Sequence, residues 1–243
     1  MAGVKSHMLV FDMDGVLVDV TGSYRAAIVE TVRHFTGEVI PQSLIQEYKN
    51  RGGWNNDWSL SQRLIADMSG RDLLYGTVVE AFQGYFFGVD LAAKLNVPIS
   101  GGPFPAEGLV LKEQWIPKEG LMESLASRFS LSIFTGRSLA EAEFTLTRFV
   151  PRIRWSCIAA DDNVEHSKPA PDGLLDIAAK FPGTDLLYFG DTVDDARSAR
   201  AAGVRFVGVA HAANTRRDEL VSLLKAEGAV AIIENFNQIE EVL

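Results

Sequence analysis

Residues 8–19 read MLVFDMDGVLVD, in which four apolar side chains run directly into two aspartates separated by one residue. Such an uninterrupted apolar run is typical of a strand that is buried on both faces, as in a parallel sheet. Asp12 and Asp14 therefore stand where the strand ends, at the edge where open α/β sheets bind ligands. Gly15 permits a tight turn immediately afterwards. By itself, the pattern also fits two aspartates that cap a turn.

The same kind of apolar run recurs along the chain, and helical patterns separate the runs. The predicted strands are 8–11, 131–134, 157–160, 186–189 and 206–209. The predicted helices between them are 117–129, 139–149, 173–180 and 194–202, and the last of these ends at Gly203. Alternating strands and helices predict an α/β fold with right-handed crossovers, a Rossmann-like parallel sheet core.

The interval between Asp12 and Thr135 is far too long for a single crossover connection. From about residue 21 to residue 87, apolar positions recur at helical spacing and no strand alternation is present. Residues 99–108 are rich in glycine and proline, as linkers are. We therefore predict an α/β core of residues 1–19 and 106–243, with an all-helical cap domain inserted at residues 20–105.

Polar groups also follow two other predicted strands. Thr135 and Gly136 come directly after one strand, and their hydroxyl and backbone N–H groups can hold phosphate oxygens at a helix start. Lys168 lies in the stretch SKPAP, where prolines restrict the backbone and the ammonium offers a point charge for phosphate. Taken singly, the threonine also fits a helix cap and the lysine a solvated surface group.

The last motif is GDTVDD at residues 190–195. Asp191 and Asp195 stand four residues apart across the turn into a helix, and carboxylate oxygens are ligands that suit Mg²⁺. We predict that Asp194, between them, is a solvated charge at the helix N-terminus. A helix start enriched in aspartate is the alternative interpretation of the whole motif.

Together, the motifs D-x-D, Thr, Lys and G-D-x-x-x-D resemble, in this order, the haloacid dehalogenase-like (HAD) superfamily hydrolases. The resemblance covers the whole chain and is closest to subfamily I with a helical C1-type cap, the phosphoglycolate phosphatase and β-phosphoglucomutase branch. It implies that Asp12 is the nucleophile and Asp14 the general acid/base. It implies phosphate binding by Thr135, Gly136 and Lys168, and a metal site formed by Asp12, the backbone carbonyl of Asp14, Asp191 and Asp195.

The resemblance therefore implies an enzyme, an Mg²⁺-dependent phosphatase that hydrolyses a small phosphomonoester through an aspartyl-phosphate intermediate. A phosphomutase of the β-phosphoglucomutase type is the main alternative, because it shares Asp12 and Asp14. A phosphonate hydrolase is another, since Lys49 in the predicted cap is a candidate for its lysine. A non-enzymatic binding module is disfavoured because Asp12, Asp14, Lys168 and Asp191 are all present.

The predicted cap contains the stretch KNRGGWNNDW at residues 49–58. Two glycines beside tryptophans and amides are typical of a contact loop, although a surface turn anchored by tryptophans has the same pattern. We hypothesise that a few residues of this loop and two arginines contact the leaving group of the substrate. These residues are Lys49, Asn55, Asn56, Arg25 and Arg137. The loop and the Thr-Gly-Arg stretch also resemble a subgroup associated with histidine-biosynthesis proteins, which adds histidinol phosphate to phosphoglycolate and sugar phosphates as candidate substrates.

Composition restricts the partners that this chain is expected to bind. It has 32 acidic and 23 basic residues, a net charge of -9, and no basic stripe, which disfavours nucleic acid. Cys157 is the only cysteine, so no intrachain disulfide can form. The first apolar run is too short for a signal peptide or a membrane span. We expect a cytoplasmic monomer or homodimer that acts on a small phosphorylated metabolite, without a membrane or nucleic-acid partner.

Overall fold

The computed structural model describes residues 7–99 and 101–243, and within it the chain forms two compact units. The first unit contains the described residues up to Val18, Lys49–Asn55 and Trp115–Leu243, and the second contains Asp19–Tyr48 and Asn56–Gln114. Residues 1–6 of the predicted core and residue 100 of the predicted linker lie outside the described residues. The segment Lys49–Asn55 groups with the first unit, although its chain neighbours belong to the second. The domain boundaries given above stay a prediction.

The first unit is organised around a parallel sheet. In the described part of the chain, the strands are β1 (His7–Phe11), β2 (Val18–Asp19), β3 (Gln114–Trp115), β4 (Ser130–Phe134), β5 (Cys157–Ala159), β6 (Asp185–Gly190), β7 (Arg205–Val209) and β8 (Ala231–Ile233). The short strands β2 and β3 pair with each other, and the others form one sheet in the order β5-β4-β1-β6-β7-β8. All neighbours in that sheet are parallel. The chain leaves β1 first towards β4 and later returns towards β6, so the strand order reverses at β1, which is where such sheets form a ligand crevice.

Helices connect these strands and also make up most of the second unit. The described helices are α1 (Tyr24–Thr36), α2 (Gln42–Arg51), α3 (Asp57–Ser69), α4 (Tyr75–Leu95), α5 (Leu121–Arg128), α6 (Leu139–Phe149), α7 (Asp172–Lys180), α8 (Val193–Ala202) and α9 (Arg217–Ala226), with 3₁₀ turns at Leu109–Lys112 and Phe236–Glu241. Within residues 7–99 and 101–243, none of them combines the length and apolar character needed to cross a bilayer.

The central strand β1 is buried on both faces, as its apolar sequence predicts. The side chains from Met8 to Phe11 are at most 2% exposed. The ring of Phe11 packs against Phe189 on β6 and Phe236 in the last 3₁₀ turn, at centroid distances of 5.5 and 5.2 Å. Burial of each such side chain stabilises the fold by about 1.5–3 kcal/mol, so β1 holds the residues that follow it in a fixed position.

The second unit has an aromatic core of its own. Tyr24 on α1 packs against Phe82 and Phe86 on α4, with centroids 5.6 and 4.3 Å away. Trp58 on α3 meets Phe82 edge-on at 6.5 Å. The helix α4 is interrupted at Gly88, where φ is 70°. Glycine is required there because a Cβ would lie 2.5 Å from the backbone nitrogen of Gly108.

The predicted fold class is confirmed, and most predicted strands and helices lie within two residues of the observed ones. The helix predicted at 117–129 begins only at Leu121, because Gly120 precedes it with φ of 78°. The strand β8 was not predicted, since its three residues are too few to show a periodicity.

Candidate active site

The two aspartates of the first motif leave the sheet at the end of β1. The backbone N–H of Asp12 donates to the carbonyl of Phe189 on β6 at 2.8 Å, which extends the sheet register to this residue. The Asp12 side chain is 4% exposed. After it, the chain turns at Gly15, whose φ is 74°, and a Cβ at Gly15 would lie 2.0 Å from Oδ2 of Asp191. Asp191 therefore lies directly against the turn that follows Asp12.

The ends of three adjacent strands carry the predicted polar residues. Thr135 follows β4, Asp12 follows β1 and Asp191 follows β6, in the spatial order β4-β1-β6. Thr135 is buried, and its Oγ1 accepts a hydrogen bond from the backbone N–H of Arg137 at 3.2 Å. A Cβ at Gly136 would meet the side chain of Asn55 at 2.3 Å. The sheet thus brings these strand ends to one edge, as predicted from their positions in the chain.

Lys168, from the loop between β5 and α7, enters the same place as a buried cation. Its Nζ lies 3.0 Å from Oδ1 of Asp12 and 2.7 Å from Oδ1 of Asp195. It also lies 4.7 Å from the ring centroid of Phe134 and 5.5 Å from that of Tyr188, within cation–π range. A buried ammonium is costly unless it is paired, so these contacts fix both its position and its charge.

Asp195, in the first turn of α8, is held by a network of buried donors. Its Oδ1 forms the ion pair with Lys168 and accepts a hydrogen bond from the hydroxyl of Tyr188 at 2.6 Å. Its Oδ2 accepts from the backbone N–H of Thr192 at 2.9 Å and from the Thr192 hydroxyl at 2.6 Å. These contacts use about all the lone pairs that a carboxylate offers. Thr192 and Asp195 also form a capping box, so the same residues that build the network start the helix.

Burial and neighbouring charge shift the pKa values of these groups in opposite directions. Burial raises the pKa of Asp12 well above its usual range, and the Lys168 ammonium only partly offsets this, because Asp195 and Asp191 add further negative charge. For Lys168, burial favours the neutral amine, but Asp12 and Asp195 outweigh it and raise its pKa. Burial opposes ionisation of Asp195 as well, yet Lys168 and the hydrogen bonds from Thr192 and Tyr188 lower its pKa. The site therefore keeps a charged lysine and an ionised Asp195, whereas the negative charge of Asp12 is only partly compensated.

The donor set fits a divalent cation. Asp12, Asp191 and Asp195 each place one carboxylate oxygen within 4.8 Å of the others. Carboxylate oxygens are the ligands of hard divalent cations, and such an ion would supply the positive charge that Lys168 alone does not. Asp14, whose backbone carbonyl was the remaining predicted ligand, directs its side chain elsewhere, to Arg137.

Arg137, whose contact with the leaving group stays a prediction, is buried against two side chains of the first unit. Its side chain is 1% exposed, while that of Asp14 is 27% exposed. The guanidinium contacts Oδ1 of Asp14 through Nε at 2.7 Å and through Nη2 at 2.6 Å, and Nη1 donates to the hydroxyl of Thr145 at 2.7 Å. The guanidinium is therefore used inside the protein and would have to break these contacts to reach a leaving group.

The segment Lys49–Asn55 is attached to the first unit through α8. The backbone N–H of Gly53 donates to both carboxylate oxygens of Asp194, at 2.8 and 2.9 Å. Lys49 lies near enough to lower the pKa of Asp194, although burial, the larger effect, raises it. Asp194 is only 1% exposed, so the prediction of a solvated helix charge was wrong. Its carboxylate instead binds a loop that is remote in sequence.

The two other residues predicted to contact substrate lie in the second unit. The guanidinium of Arg25 donates from Nη2 to the side-chain oxygen of Gln46 at 2.7 Å. Asn56 is the N-cap of α3, where its side-chain oxygen accepts the backbone N–H of Ser59 at 2.9 Å. A contact of either residue with the leaving group stays a prediction.

Sequence reasoning missed three side chains that support the site: Tyr188, Thr192 and Thr145. Tyr188 carried a signal, because it is the one hydroxyl within the apolar run of β6 and a buried hydroxyl needs a partner. Thr192 carried a weaker one as the possible N-cap of the following helix. Nothing near Thr145 marks it, because its partner Arg137 lies in the loop before α6 and shares no periodic pattern with it.

Known proteins resemble this chain in sequence and in fold. The chain is 31% identical over 210 residues to imidazoleglycerol-phosphate dehydratase from Phytophthora nicotianae, which covers 83% of this chain but spans only 42% of that protein. It is 26% identical over 207 residues to the fructose-1-phosphate phosphatase YqaB from Escherichia coli (strain K12), covering 83% of this chain and 95% of that protein. A crystal structure described as a predicted phosphoglycolate phosphatase from Haemophilus somnus 129pt shares the fold, with a TM-score of 0.71, 17% identity and 98% of both chains covered.

A family model described as haloacid dehalogenase-like hydrolase matches residues 7–203, a range that contains all four motifs. The resemblance predicted from those motifs is therefore confirmed. The chain belongs to the haloacid dehalogenase-like hydrolase family.

Proposed function

We propose that this chain is an Mg²⁺-dependent phosphatase that hydrolyses a small phosphomonoester through a phosphorylated Asp12. The observation that supports this most directly is the buried ammonium of Lys168, 3.0 Å from Asp12 and 2.7 Å from Asp195. A lysine so placed fixes one carboxylate oxygen of Asp12 and neutralises charge beside it. That is the arrangement a carboxylate nucleophile needs when its target is an anionic phosphate.

In the first step, a carboxylate oxygen of Asp12 attacks phosphorus in line with the leaving oxygen. The new bond joins Asp12 to phosphorus, and the bond between phosphorus and the leaving oxygen breaks. Asp14 donates a proton to that oxygen, so the leaving group departs as a neutral alcohol. The tight turn at Gly15 keeps the two aspartates on one short segment at the end of β1.

In the second step, water attacks phosphorus of the aspartyl-phosphate. Asp14, now a carboxylate, accepts a proton from that water, and Asp12 leaves with the electrons of its bond to phosphorus. Inorganic phosphate is released and the enzyme returns to its starting state. One group thus serves as acid and then as base, which is why the mechanism needs two aspartates and not one.

Negative charge that spreads over the phosphoryl oxygens is stabilised by fixed groups of the chain. The hydroxyl of Thr135, the backbone N–H groups near Gly136 and the ammonium of Lys168 are the donors at this edge. Asp12, Asp191 and the backbone carbonyl of Asp14 would hold Mg²⁺, which would supply further positive charge beside the same oxygens. The oxygens of Asp195 already accept three hydrogen bonds and pair with Lys168, which supports an indirect role for it, through Lys168 or through water.

The substrate class is a small phosphorylated metabolite. One relative is named for fructose 1-phosphate and another for imidazoleglycerol phosphate, so sugar phosphates and imidazole-containing phosphates such as histidinol phosphate are the first candidates. Phosphoglycolate is the third, because a further relative, 26% identical, carries that name. A cytoplasmic location and a monomeric or homodimeric state stay predictions.

The test is phosphate release from these esters with Mg²⁺, compared between wild type and Asp12→Asn. We expect the substitution to lower kcat by at least about 10³-fold on every substrate that the wild type accepts, because asparagine cannot form the phosphorylated intermediate. Asp176→Asn, which changes an exposed aspartate on α7, is the matched control and should be silent. Chelation of divalent cations should abolish the wild-type activity, and added Mg²⁺ should restore it.

Two further measurements separate this covalent phosphatase mechanism from a non-covalent mechanism and from a phosphomutase. Radiolabel from a phosphorylated substrate should appear on the wild-type protein after acid quench and be absent from Asp12→Asn. Retention of activity in Asp12→Asn would exclude the covalent mechanism. Phosphate transfer that depends on an added sugar bisphosphate, with no net phosphate release, would identify a phosphomutase instead.

A further inference from the structure

Arg137 is the bulkiest of the nearly inaccessible side chains in the described part of the molecule. It lies in the first unit, in the loop between β4 and α6, and its backbone carbonyl accepts the N–H of Asp161 at 2.9 Å. A guanidinium carries a full charge and several N–H donors, so its burial is unfavourable unless a partner charge and hydrogen bonds replace the water around it. The ion pair with Asp14 and the hydrogen bond with Thr145 are such replacements.

The geometry of this pair constrains the carboxylate of Asp14. Two nitrogens of one guanidinium, Nε and Nη2, both contact the same oxygen, Oδ1, at 2.7 and 2.6 Å. The other oxygen, Oδ2, takes no part in these contacts. Two donors from one rigid plane on one oxygen restrict rotation of the carboxylate, and the bond from Nη1 to Thr145 restricts the guanidinium in turn. The orientation of Asp14 is thus set by a chain of contacts that ends on α6.

We propose that Arg137 is a positioning residue that holds the carboxylate of Asp14 for proton exchange through Oδ2, with Thr145 as the anchor of Arg137. This inference rests on the proposed function, because it assigns Asp14 the role of general acid and base. A general acid must stand within hydrogen-bond reach of the leaving oxygen, about 2.6–3.2 Å. Displacement by about 1 Å can lower the rate of the step by about 10²-fold. A residue that fixes Asp14 therefore affects proton transfer without touching the phosphoryl group.

The readout that isolates this role is the dependence on the leaving group. An alkyl phosphate needs its leaving oxygen protonated, whereas p-nitrophenyl phosphate releases a stable anion and does not. Release of the leaving group should be measured in a single turnover, because hydrolysis of the aspartyl-phosphate also needs Asp14 in the steady state. For Arg137→Gln, we expect this rate to fall by about 10²-fold or more on the alkyl ester and by less than about 10-fold on p-nitrophenyl phosphate.

Two comparisons test the pathway through Asp14. Asp14→Asn should show the same selectivity between the esters, and the double variant Arg137→Gln/Asp14→Asn should be no slower than Asp14→Asn alone, since residues that act as one unit are not additive. Thr145→Val keeps both charged groups and removes only the anchor. Thr145→Val should lower the single-turnover rate selectively on the alkyl ester, by about 3- to 10-fold. If Arg137→Gln does not fold, Thr145→Val tests the proposal by itself. Arg148→Gln, an exposed arginine on α6, is the matched control.

Equal losses on the two esters, an unaltered Thr145→Val enzyme, or additive effects of Arg137→Gln and Asp14→Asn would each overturn this role for Arg137 while leaving the phosphatase proposal standing. A wild-type protein that releases phosphate from neither ester would overturn the proposed function, and this inference with it.

Discussion

Gly15 forms the tight turn after Asp12, and the carboxylate of Asp191 lies directly against this turn. Its φ of 74° lies in the left-handed region, and a Cβ there would stand 2.0 Å from Oδ2 and 2.6 Å from Cγ of Asp191. Both effects disfavour any side chain at this position: one is a backbone strain and the other is a collision with a proposed metal ligand. The first costs roughly 1–2 kcal/mol by itself.

Gly15→Ala should therefore lower kcat/KM by about 10²-fold or more, because Asp191 has to move away from Asp12 to make room for the methyl group. The substitution Gly203→Ala separates the two effects. Gly203 has a φ of 68° at the end of α8, but a Cβ there meets nothing within 4 Å. Gly15→Ala should lose at least as much stability in thermal unfolding as Gly203→Ala, and only Gly15→Ala should lose activity. Equal kinetics in the two variants would refute the collision argument.

Sequence patterns predicted which residues belong to the site better than they predicted which side chains or backbone groups those residues contact. Asp12, Thr135 and Asp191 could be placed together because each follows a recognisable strand. Asp194 could not be placed, because an acidic residue in a first helical turn has the same pattern whether it faces water or a remote backbone N–H. The pairing of Arg137 with Asp14 was equally hidden, since it depends on a side-chain direction that no periodicity encodes.

Among the elements, the segment Lys49–Asn55 contacts α8 through the carboxylate of Asp194. Gly53 donates to both oxygens of Asp194, and the burial of that aspartate is compensated mainly by this bond and by Arg197, whose Nη1 is 3.7 Å from Oδ1. Burial still raises the pKa of Asp194, so the hydrogen bond from Gly53 and the charge of Arg197 do not fully compensate for the lost solvation of its carboxylate. The segment should accordingly open more readily than the sheet beneath it.

Removal of the acceptor by Asp194→Ala should increase this opening. A lost hydrogen bond to a buried charge corresponds to about 1–3 kcal/mol, or roughly 5- to 150-fold in an opening equilibrium. Hydrogen exchange, followed by mass spectrometry of a peptide that contains Gly53, should therefore become faster by that factor. Asp218→Ala, which removes an exposed acidic residue from the first turn of α9, should leave this exchange unchanged. If the two variants exchange alike, Asp194 does not hold the segment.

Element boundaries were predictable where a local signal marks them. Leu139–Phe149 begins after Ser138, whose capping box with Glu141 is visible in the sequence, and α8 ends at Gly203 as predicted. The helical region predicted to end at residue 87 is interrupted at Gly88, whose backbone is not helical, and a second helical stretch then continues to Leu95.

For the whole molecule, the class of the fold followed from the alternation of strands and helices, but the strand order did not. The reversal at β1 is what places Asp12 between Thr135 and Asp191 along the edge of the sheet, and no periodicity of the sequence predicts it. The division of the chain into units was harder to predict, because Lys49–Asn55 is joined to the first unit by contacts that are remote in sequence.

The charge balance of the site should be measurable as a pH dependence of the whole protein's stability. Burial and the neighbouring carboxylates raise the folded-state pKa of Asp12, so above the unfolded value near 3.8 the folded state holds a proton that the unfolded state has lost. The stability of the metal-free protein therefore falls as pH rises towards the folded pKa, by at most about 1.4 kcal/mol per pH unit from this group.

Asp12→Asn removes this titration, so in the presence of chelator its melting temperature should exceed that of wild type by an amount that grows between about pH 4 and the folded pKa of Asp12. Saturating Mg²⁺ should reverse the order at neutral pH, because the ion stabilises the protein that retains its ligand, by about 2.7 kcal/mol at a hundred times Kd. Thermal scans of both proteins across this pH range, with Asp176→Asn as the control for an exposed aspartate, measure the difference directly. A gap that is independent of pH would mean that burial and the charges of Asp195 and Asp191 do not raise the pKa of Asp12 in the folded protein.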